Sequence, residues 1–135
     1  MKKYLILFLA VFTLFACKKT AEPVDLVGEW QLASYETKAV SVGTEKVDIW
    51  LKFTSDGQFE LYQKLGDGRY RPYKGTYTLT ENILSGKYST GASWGTQYEV
   101  SREATQLTLK DHPDGREMQV FKAASIPSTV LDNIY

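Results

Sequence analysis

The chain has 135 residues, which is enough for one domain and too few for two. Its 16 basic and 16 acidic residues balance to a formal net charge of zero, which argues against a nucleic-acid-binding protein that works by neutralising phosphates. A single Cys and a single His exclude an internal disulfide and a zinc site built from several Cys or His ligands. We therefore expect a protein without a metal or another cofactor and without a nucleic-acid partner.

The N-terminus has the pattern of a signal peptide over residues 1–16. Lys2 and Lys3 are followed by a run from residue 4 to residue 16 that contains no charged side chain. As a helix this run would reach about 20 Å, which is shorter than the roughly 30 Å of a bilayer's hydrocarbon core. The run therefore favours the apolar centre of a signal peptide over a membrane-spanning helix.

The sequence Leu14-Phe15-Ala16-Cys17 follows this run and resembles the lipobox of bacterial lipoproteins. The resemblance implies cleavage before Cys17, a diacylglycerol on its thiol and an acylated amine, which together anchor a protein to a membrane without spanning it. The alternative is an ordinary signal peptide followed by a buried core cysteine. Residues 17–25 are interpreted as a flexible tether. By resemblance to enterobacterial lipoproteins, a residue other than Asp after the cysteine, here Lys18, implies the outer membrane of a bacterium. Only Glu22 and Asp25 are acidic nearby, and they follow two lysines, so the periplasmic face is favoured over the cell surface.

Residues 26–135 show short apolar alternations separated by Gly, Asp, Asn and Pro, which is typical of strands joined by turns. Eight strands are predicted, over 27–35, 47–54, 58–65, 69–79, 83–90, 94–101, 106–111 and 116–122, the last with Met118 and Val120 inward. Short connections favour antiparallel neighbours, and closure removes both bare edges. The sequence thus predicts an all-β fold, an eight-stranded antiparallel up-and-down barrel, with a β-sandwich as the alternative.

Two segments outside these strands are also predicted. Residues 36–46 are long enough to form a loop at the mouth of the barrel. After Pro127 the chain is expected to form a short C-terminal helix or tail that packs on the barrel through Val130, Leu131 and Ile134.

Three motifs resemble the lipocalin-like lipoproteins of the Bacteroidetes type. They are Gly28-Glu29-Trp30, the hairpin from Phe53 through Asp56-Gly57 to Phe59, and Gly75-Thr76-Tyr77-Thr78-Leu79. The resemblance implies a lipocalin-like barrel in which Gly28 and Trp30 form a structural base.

The candidate ligand-binding residues are the aromatic side chains that alternation along the strands directs toward the barrel interior. The interior of an eight-stranded barrel is either just filled by side chains or holds one small ligand. In the second case the candidates are Tyr73, Tyr77, Tyr88, Trp94 and Tyr98, binding a small hydrophobic molecule. In the first case the protein is an interaction module for another envelope protein, and outward aromatics at Trp50, Tyr62 and Tyr70 are its candidate surface.

Catalytic constellations are weak, so we expect a binding protein and not an enzyme. His112 lies in Asp111-His112-Pro113-Asp114-Gly115, which is typical of an exposed turn, and a metal site from Asp111, His112 and Asp114 is a minor alternative. The carboxylate pairs Glu29 with Glu60 and Asp48 with Glu99 are interpreted as solvated charges on the outer face.

Overall fold

The protein folds into one antiparallel sheet that curls until its first and last long strands meet. A computed structural model describes residues 23–37, 41–42 and 47–135. Its elements are β1 (Gly28–Thr37), β2 (Ser41–Val42), β3 (Ile49–Phe53), β4 (Gln58–Lys64), β5 (Tyr70–Thr80), β6 (Ile83–Tyr88), β7 (Gln97–Glu103), β8 (Gln106–His112), β9 (Glu117–Ala123) and α1 (Ser128–Leu131).

Closure of the sheet confirms the predicted eight-stranded barrel. The strand order is β2-β1-β3-β4-β5-β6-β7-β8-β9, and β1 also pairs with β9, with Trp30 opposite Ala123 and Thr37 opposite Glu117. Every pairing between named strands is antiparallel. The two-residue β2, which falls within the predicted mouth loop, only extends the edge of β1; residues 38–40 and 43–46 of that loop lie outside the described residues.

The barrel interior is an apolar core formed by alternate residues of the strands. Trp30, Leu51, Phe53, Phe59 and Phe121 are buried in it. Leu26, Leu32, Leu84, Val100, Leu107 and Leu109 complete the buried set. Leu51, Phe53 and Phe59 share this inner face, as alternation along β3 and β4 requires.

The inner face of β9 differs from the prediction. Phe121 is 1% exposed and belongs to the core, and it pairs with Leu32 of β1 and Leu107 of β8. Because successive side chains alternate, Met118 and Val120 lie on the opposite face of the strand, where both are half-buried. The prediction that they point inward is wrong, and the inward set is Phe121 with Gln119 and Glu117.

A second apolar cluster lies outside the barrel, beneath the C-terminal segment. Trp50, Tyr62 and Tyr70 are buried there against Ile126 and Val130. The expectation that these three aromatics are exposed is therefore wrong. Their outward orientation is as predicted, but the chain covers them with its own end.

The C-terminal segment is held by the helix and by one more pairing with the sheet. Helix α1 follows Pro127 as expected, and Val130 is 1% exposed. Leu131 and Ile134 are 49% and 39% exposed, so the expectation that they also pack on the barrel is wrong. The Tyr70 N–H donates to Asn133 O at 2.8 Å, and the Tyr135 N–H donates to Tyr70 O at 2.9 Å.

The complete closed sheet and both apolar clusters lie within residues 23–135. This segment therefore contains what the barrel needs to fold on its own. Residues 1–22, with the predicted signal peptide and Cys17, are outside the described residues. In the part of the chain that the structure describes, no helix has both the length and the apolar composition to cross a membrane.

Candidate functional site

One end of the barrel is closed by Trp30. Its indole is 1% exposed, and its Nε1–H donates to the Leu26 carbonyl at 3.0 Å. The Arg102 guanidinium lies 5.1 Å from the centre of the Trp30 ring and donates to the Asp25 carbonyl at 2.8 Å. Gly28 begins β1 with φ at +142°, a region that residues with a side chain rarely adopt. The structure thus places Gly28 and Trp30 at the closed end, where the base was predicted.

Above this base the interior contains a cavity of about 320 Å³. This volume is at the lower end of the range for small-molecule sites, which is about 300–1,000 Å³. The cavity is lined by Ile49, Leu51, Phe53, Phe59, Leu61, Gln63, Tyr73, Tyr88, Trp94, Tyr98, Leu109, Gln119 and Phe121. Aliphatic and phenyl side chains make most of this wall, while the hydroxyls and amides belong to Gln63, Gln119 and the three tyrosines.

Four of the five predicted ligand-binding residues, Tyr73, Tyr88, Trp94 and Tyr98, meet in the wall of this cavity. Their rings contact one another: the centroids of Tyr73 and Tyr88 are 5.9 Å apart, and those of Trp94 and Tyr98 are 6.3 Å apart. Such tilted and edge-to-face contacts hold the rings in fixed orientations. The cavity therefore has a partly rigid aromatic side.

Tyr77, the fifth candidate, lies outside the cavity lining. Its ring packs edge-on against Phe53 with centroids 4.9 Å apart, and its hydroxyl donates to the Thr54 carbonyl at 2.7 Å. Burial raises the pKa of this hydroxyl. Because its donor is used locally, Tyr77 supports the β3–β4 turn and is not carried forward as a ligand contact.

Trp94 owes its position to a glycine in the neighbouring strand. A Cβ at Gly86 would lie 2.3 to 2.7 Å from the indole, so only glycine leaves space for it there. The Trp94 N–H donates to Gly86 O at 3.0 Å. The predicted strand from residue 94 begins at Gln97 instead. Gly95, with φ at +77°, turns the chain between this contact and the pairing of Leu84 with Tyr98.

The open end of the barrel carries polar side chains that sequence reasoning missed. Tyr35 pairs directly with Gln119, and Asp111 pairs with Tyr98, so these residues share the cavity face. Burial and a hydrogen bond to Glu117 raise the pKa of Tyr35. Burial, with the charge of Glu117 next, raises the pKa of Tyr98. Both hydroxyls therefore stay protonated at neutral pH. Once Phe121 is assigned to the interior, alternation along β9 predicts that Gln119 and Glu117 also face inward.

The carboxylates considered as catalytic pairs do not face the cavity. Glu29 and Glu60 lie on either side of Lys52 on the outer face, and Glu60 accepts a hydrogen bond from Tyr62 at 3.0 Å. Asp48 accepts one from the Tyr70 hydroxyl at 2.5 Å. Glu60 and Asp48 therefore each hold a tyrosine of the outer aromatic cluster. Glu99 follows Tyr98 of the cavity wall, so alternation places it on the outer face of β7.

The alternative metal site around His112 is not assembled. His112 is exposed, Asp111 accepts the Glu117 N–H at 2.7 Å, and Asp114 pairs with Arg116 at 3.8 Å. Among residues 23–37, 41–42 and 47–135, no three His, Cys, Asp or Glu side chains are grouped so that they could hold a metal ion.

Comparison with known proteins agrees with this geometry. A lipocalin-like protein from Bacteroides uniformis superposes with a TM-score of 0.61 at 20% identity, covering 75% of this chain and all of the other. An uncharacterized protein from Bacteroides eggerthii gives a TM-score of 0.56 at 17% identity, covering 74% of this chain and all of the other. No curated protein matches the sequence. The family model of the lipocalin-like domain matches residues 26–110, and the chain therefore belongs to the lipocalin-like domain family.

Proposed function

We propose that this protein is a lipid-anchored lipoprotein of the bacterial envelope that binds a small hydrophobic ligand inside its barrel. The observation that carries the proposal is the cavity of about 320 Å³, with an apolar wall and a few polar groups. An apolar enclosure with a small number of placed polar groups is the usual form of a small-molecule site. At about 30 Å³ for each water-sized volume, the cavity has room for a ligand of about ten heavy atoms.

The alternative of a filled barrel that binds another envelope protein has less support. It predicted an exposed aromatic surface from Trp50, Tyr62 and Tyr70, and these side chains are covered by Ile126 and Val130. It also predicted a filled interior, whereas Tyr73, Tyr88, Trp94 and Tyr98 border open space.

The path of the chain favours an anchor at the closed end of the barrel. The Val24 N–H donates to the Asn82 side chain at 3.0 Å, and Leu26 is buried against the core beside Trp30. A lipid on Cys17 would therefore join the barrel next to its base. The open end would face away from the outer membrane, toward the periplasm in the orientation we favour.

The ligand proposal is tested by native mass spectrometry of the fragment 23–135, incubated with an extract of bacterial envelope lipids. We expect one class of small apolar molecule to be retained with a one-to-one stoichiometry. The variant Leu61→Trp, which places an indole in the cavity, should lose it. Equal retention by both proteins, or no retained molecule, would contradict the proposal.

The anchoring proposal has a separate test in cells that express the full chain. Radiolabelled palmitate should be incorporated into the wild type and should be absent from Cys17→Ser. Label in both chains, or in neither, would show that Cys17 is not the lipidated residue.

A further inference from the structure

The wall of the cavity changes from apolar to polar on the way from the base to the open end. On β4, the inward Phe59 and Leu61 are followed by Gln63, one residue before the strand ends at the open side. On β9, which runs the opposite way, Gln119 precedes Phe121 by two residues. The lower wall is therefore hydrocarbon, and the upper wall carries polar groups.

Five residues with uncharged polar side chains form this upper wall, which we call the polar ring: Gln63, Tyr73, Tyr88, Tyr98 and Gln119. Tyr88 is the last residue of β6 and Tyr98 the second residue of β7, so both lie near the open ends of their strands. Tyr73 joins them through its ring, whose centre is 5.9 Å from that of Tyr88. At neutral pH an amide or a phenol offers both a donor and an acceptor and has no charge.

Two members of the polar ring also act on each other. Gln119 lies within hydrogen-bonding reach of the Tyr98 hydroxyl and acts on it as a donor, which opposes the rise in the pKa of Tyr98 that burial causes. An amide that uses an N–H in this way keeps its carbonyl oxygen as an acceptor, and the phenol keeps its O–H as a donor. An acceptor and a donor therefore lie side by side in the wall, which is the arrangement that a hydroxyl or a primary amide of a ligand can satisfy.

The charged side chains of the β8–β9 turn lie beyond the cavity wall. Among the described residues that line the cavity, none is acidic or basic. In the turn, Asp111 accepts the Glu117 N–H at 2.7 Å, and Lys110 lies over Gly115, where an added Cβ would be 2.6 Å from Lys110 Cε. Both signs of charge are thus present in the turn, and neither extends into the wall. A carboxylate or an ammonium held at the polar ring would lose water without gaining an ion partner.

We propose that the ligand of this cavity is a neutral amphiphile, with its apolar body toward the base and an uncharged hydroxyl or amide head at the polar ring. This inference rests on the proposed function, because it assigns the head group of the same ligand. The head accepts a hydrogen bond from the Tyr98 O–H and donates one to the Gln119 carbonyl, while the body contacts Phe53, Phe59 and Phe121. A neutral head exchanges its hydrogen bonds with water for equivalent bonds to the protein, whereas a charged head cannot.

The test compares four probes that have the same number of non-hydrogen atoms: decanol, nonanamide, nonanoate and decylamine. Each is titrated into the fragment 23–135 at pH 7.5, below the concentration at which it aggregates. We expect decanol and nonanamide to bind at least about tenfold more tightly than nonanoate and decylamine. Nonanamide and nonanoate are the matched pair, because an amide nitrogen in one replaces a charged oxygen in the other.

A cation added to the polar ring should change the order of the matched pair. Gln119→Lys places an ammonium beside the head, so nonanoate should gain at least about tenfold in affinity relative to nonanamide. Gln97→Lys is the control: it makes the same change at an exposed position of β7, on the face opposite Tyr98, and should leave the ratio of the two affinities within about twofold. Circular dichroism of both variants shows whether the barrel is intact.

The outcomes separate the head-group assignment from the proposed function. If nonanoate or decylamine binds the wild type as tightly as nonanamide, the assignment is overturned while the apolar cavity stands. A folded Gln119→Lys that keeps the wild-type ratio of nonanoate to nonanamide would overturn the position of the head at the polar ring. If Gln119→Lys does not fold, the comparison of the four probes on the wild type still decides. If none of the four probes gives saturable binding, the proposed function fails and the assignment fails with it.

Discussion

The contact between Gly86 and Trp94 gives a quantitative test of how the cavity wall is built. An added Cβ at Gly86 would lie within 2.3 Å of the indole, so Gly86→Ala must displace the ring of Trp94. Overpacking of this kind costs about 1–3 kcal/mol of the free energy of unfolding. Trp94→Ala removes a half-buried indole that packs against Phe59 at a centroid distance of 4.9 Å, and we expect it to cost about 2–3 kcal/mol.

The double variant separates this explanation from a general intolerance of strand β6 to substitution. Without the indole, Gly86→Ala should change the free energy of unfolding by less than about 0.5 kcal/mol, because the space above residue 86 is then empty. Urea denaturation of the four proteins measures the coupling. Gly66→Ala is the control, since a Cβ there has nothing within 4 Å. A Gly86→Ala cost that persists undiminished in the Trp94→Ala background would refute the reasoning.

Three further predictions concern the base and the outer cluster. Trp30→Phe should lower the free energy of unfolding by about 1–3 kcal/mol, because the buried Leu26 carbonyl loses its donor; an unchanged thermal melt would contradict this. Val130→Ala should cost about 2 kcal/mol and raise the solvent exposure of Trp50, measured by fluorescence quenching, whereas the exposed Thr129→Ala should change neither. Burial, with help from Glu60 and Asp48, raises the pKa values of Tyr62 and Tyr70 to about 12. Since both tyrosines keep their protons in the folded state after the unfolded chain has lost them at about pH 10, stability should be constant up to pH 10 and fall between pH 10 and 12. Urea titrations across this range should show a smaller fall for Tyr70→Phe, and an equal fall would be the contrary result.

The barrel itself could be predicted because its signals are local. Alternation such as Ile49, Leu51 and Phe53 fixes which face of a strand is apolar, and Ser55-Asp56-Gly57 marks where the chain reverses. Closure then follows from the need to protect two edges. The observed bounds of the eight long strands lie within three residues of those predicted.

The features that escaped prediction depend on partners distant in sequence. Strand β9 has apolar residues on both faces, and its pairing with Leu32 and Leu107 selects Phe121 over Met118 and Val120. The cover over the outer aromatics comes from Ile126 and Val130, more than fifty residues after Tyr70.

For the candidate site, the sequence predicted which side chains face the barrel interior but not how near each one lies to the closed end. Alternation places Tyr73 and Tyr77 on the same side of β5, and it does not show how far along the barrel axis each ring lies. Tyr77 pairs with Gly86 nearer the base and contacts Phe53, while Tyr73 pairs with Leu61 beside the cavity. Gln119 and Glu117 were missed because their inward orientation follows from the inner face of β9.

The three tryptophans provide the most direct test of the cavity as a binding site, because each one reports on a different region. Trp94 lines the cavity, Trp30 closes the base and Trp50 lies under the C-terminal segment. In a nitrogen-15 NMR titration of the fragment 23–135 with decanol, an uncharged apolar probe, the indole signal of Trp94 should shift and saturate, while those of Trp30 and Trp50 stay in place. A Trp94 signal that does not move, or equal shifts of all three, would contradict binding inside the barrel.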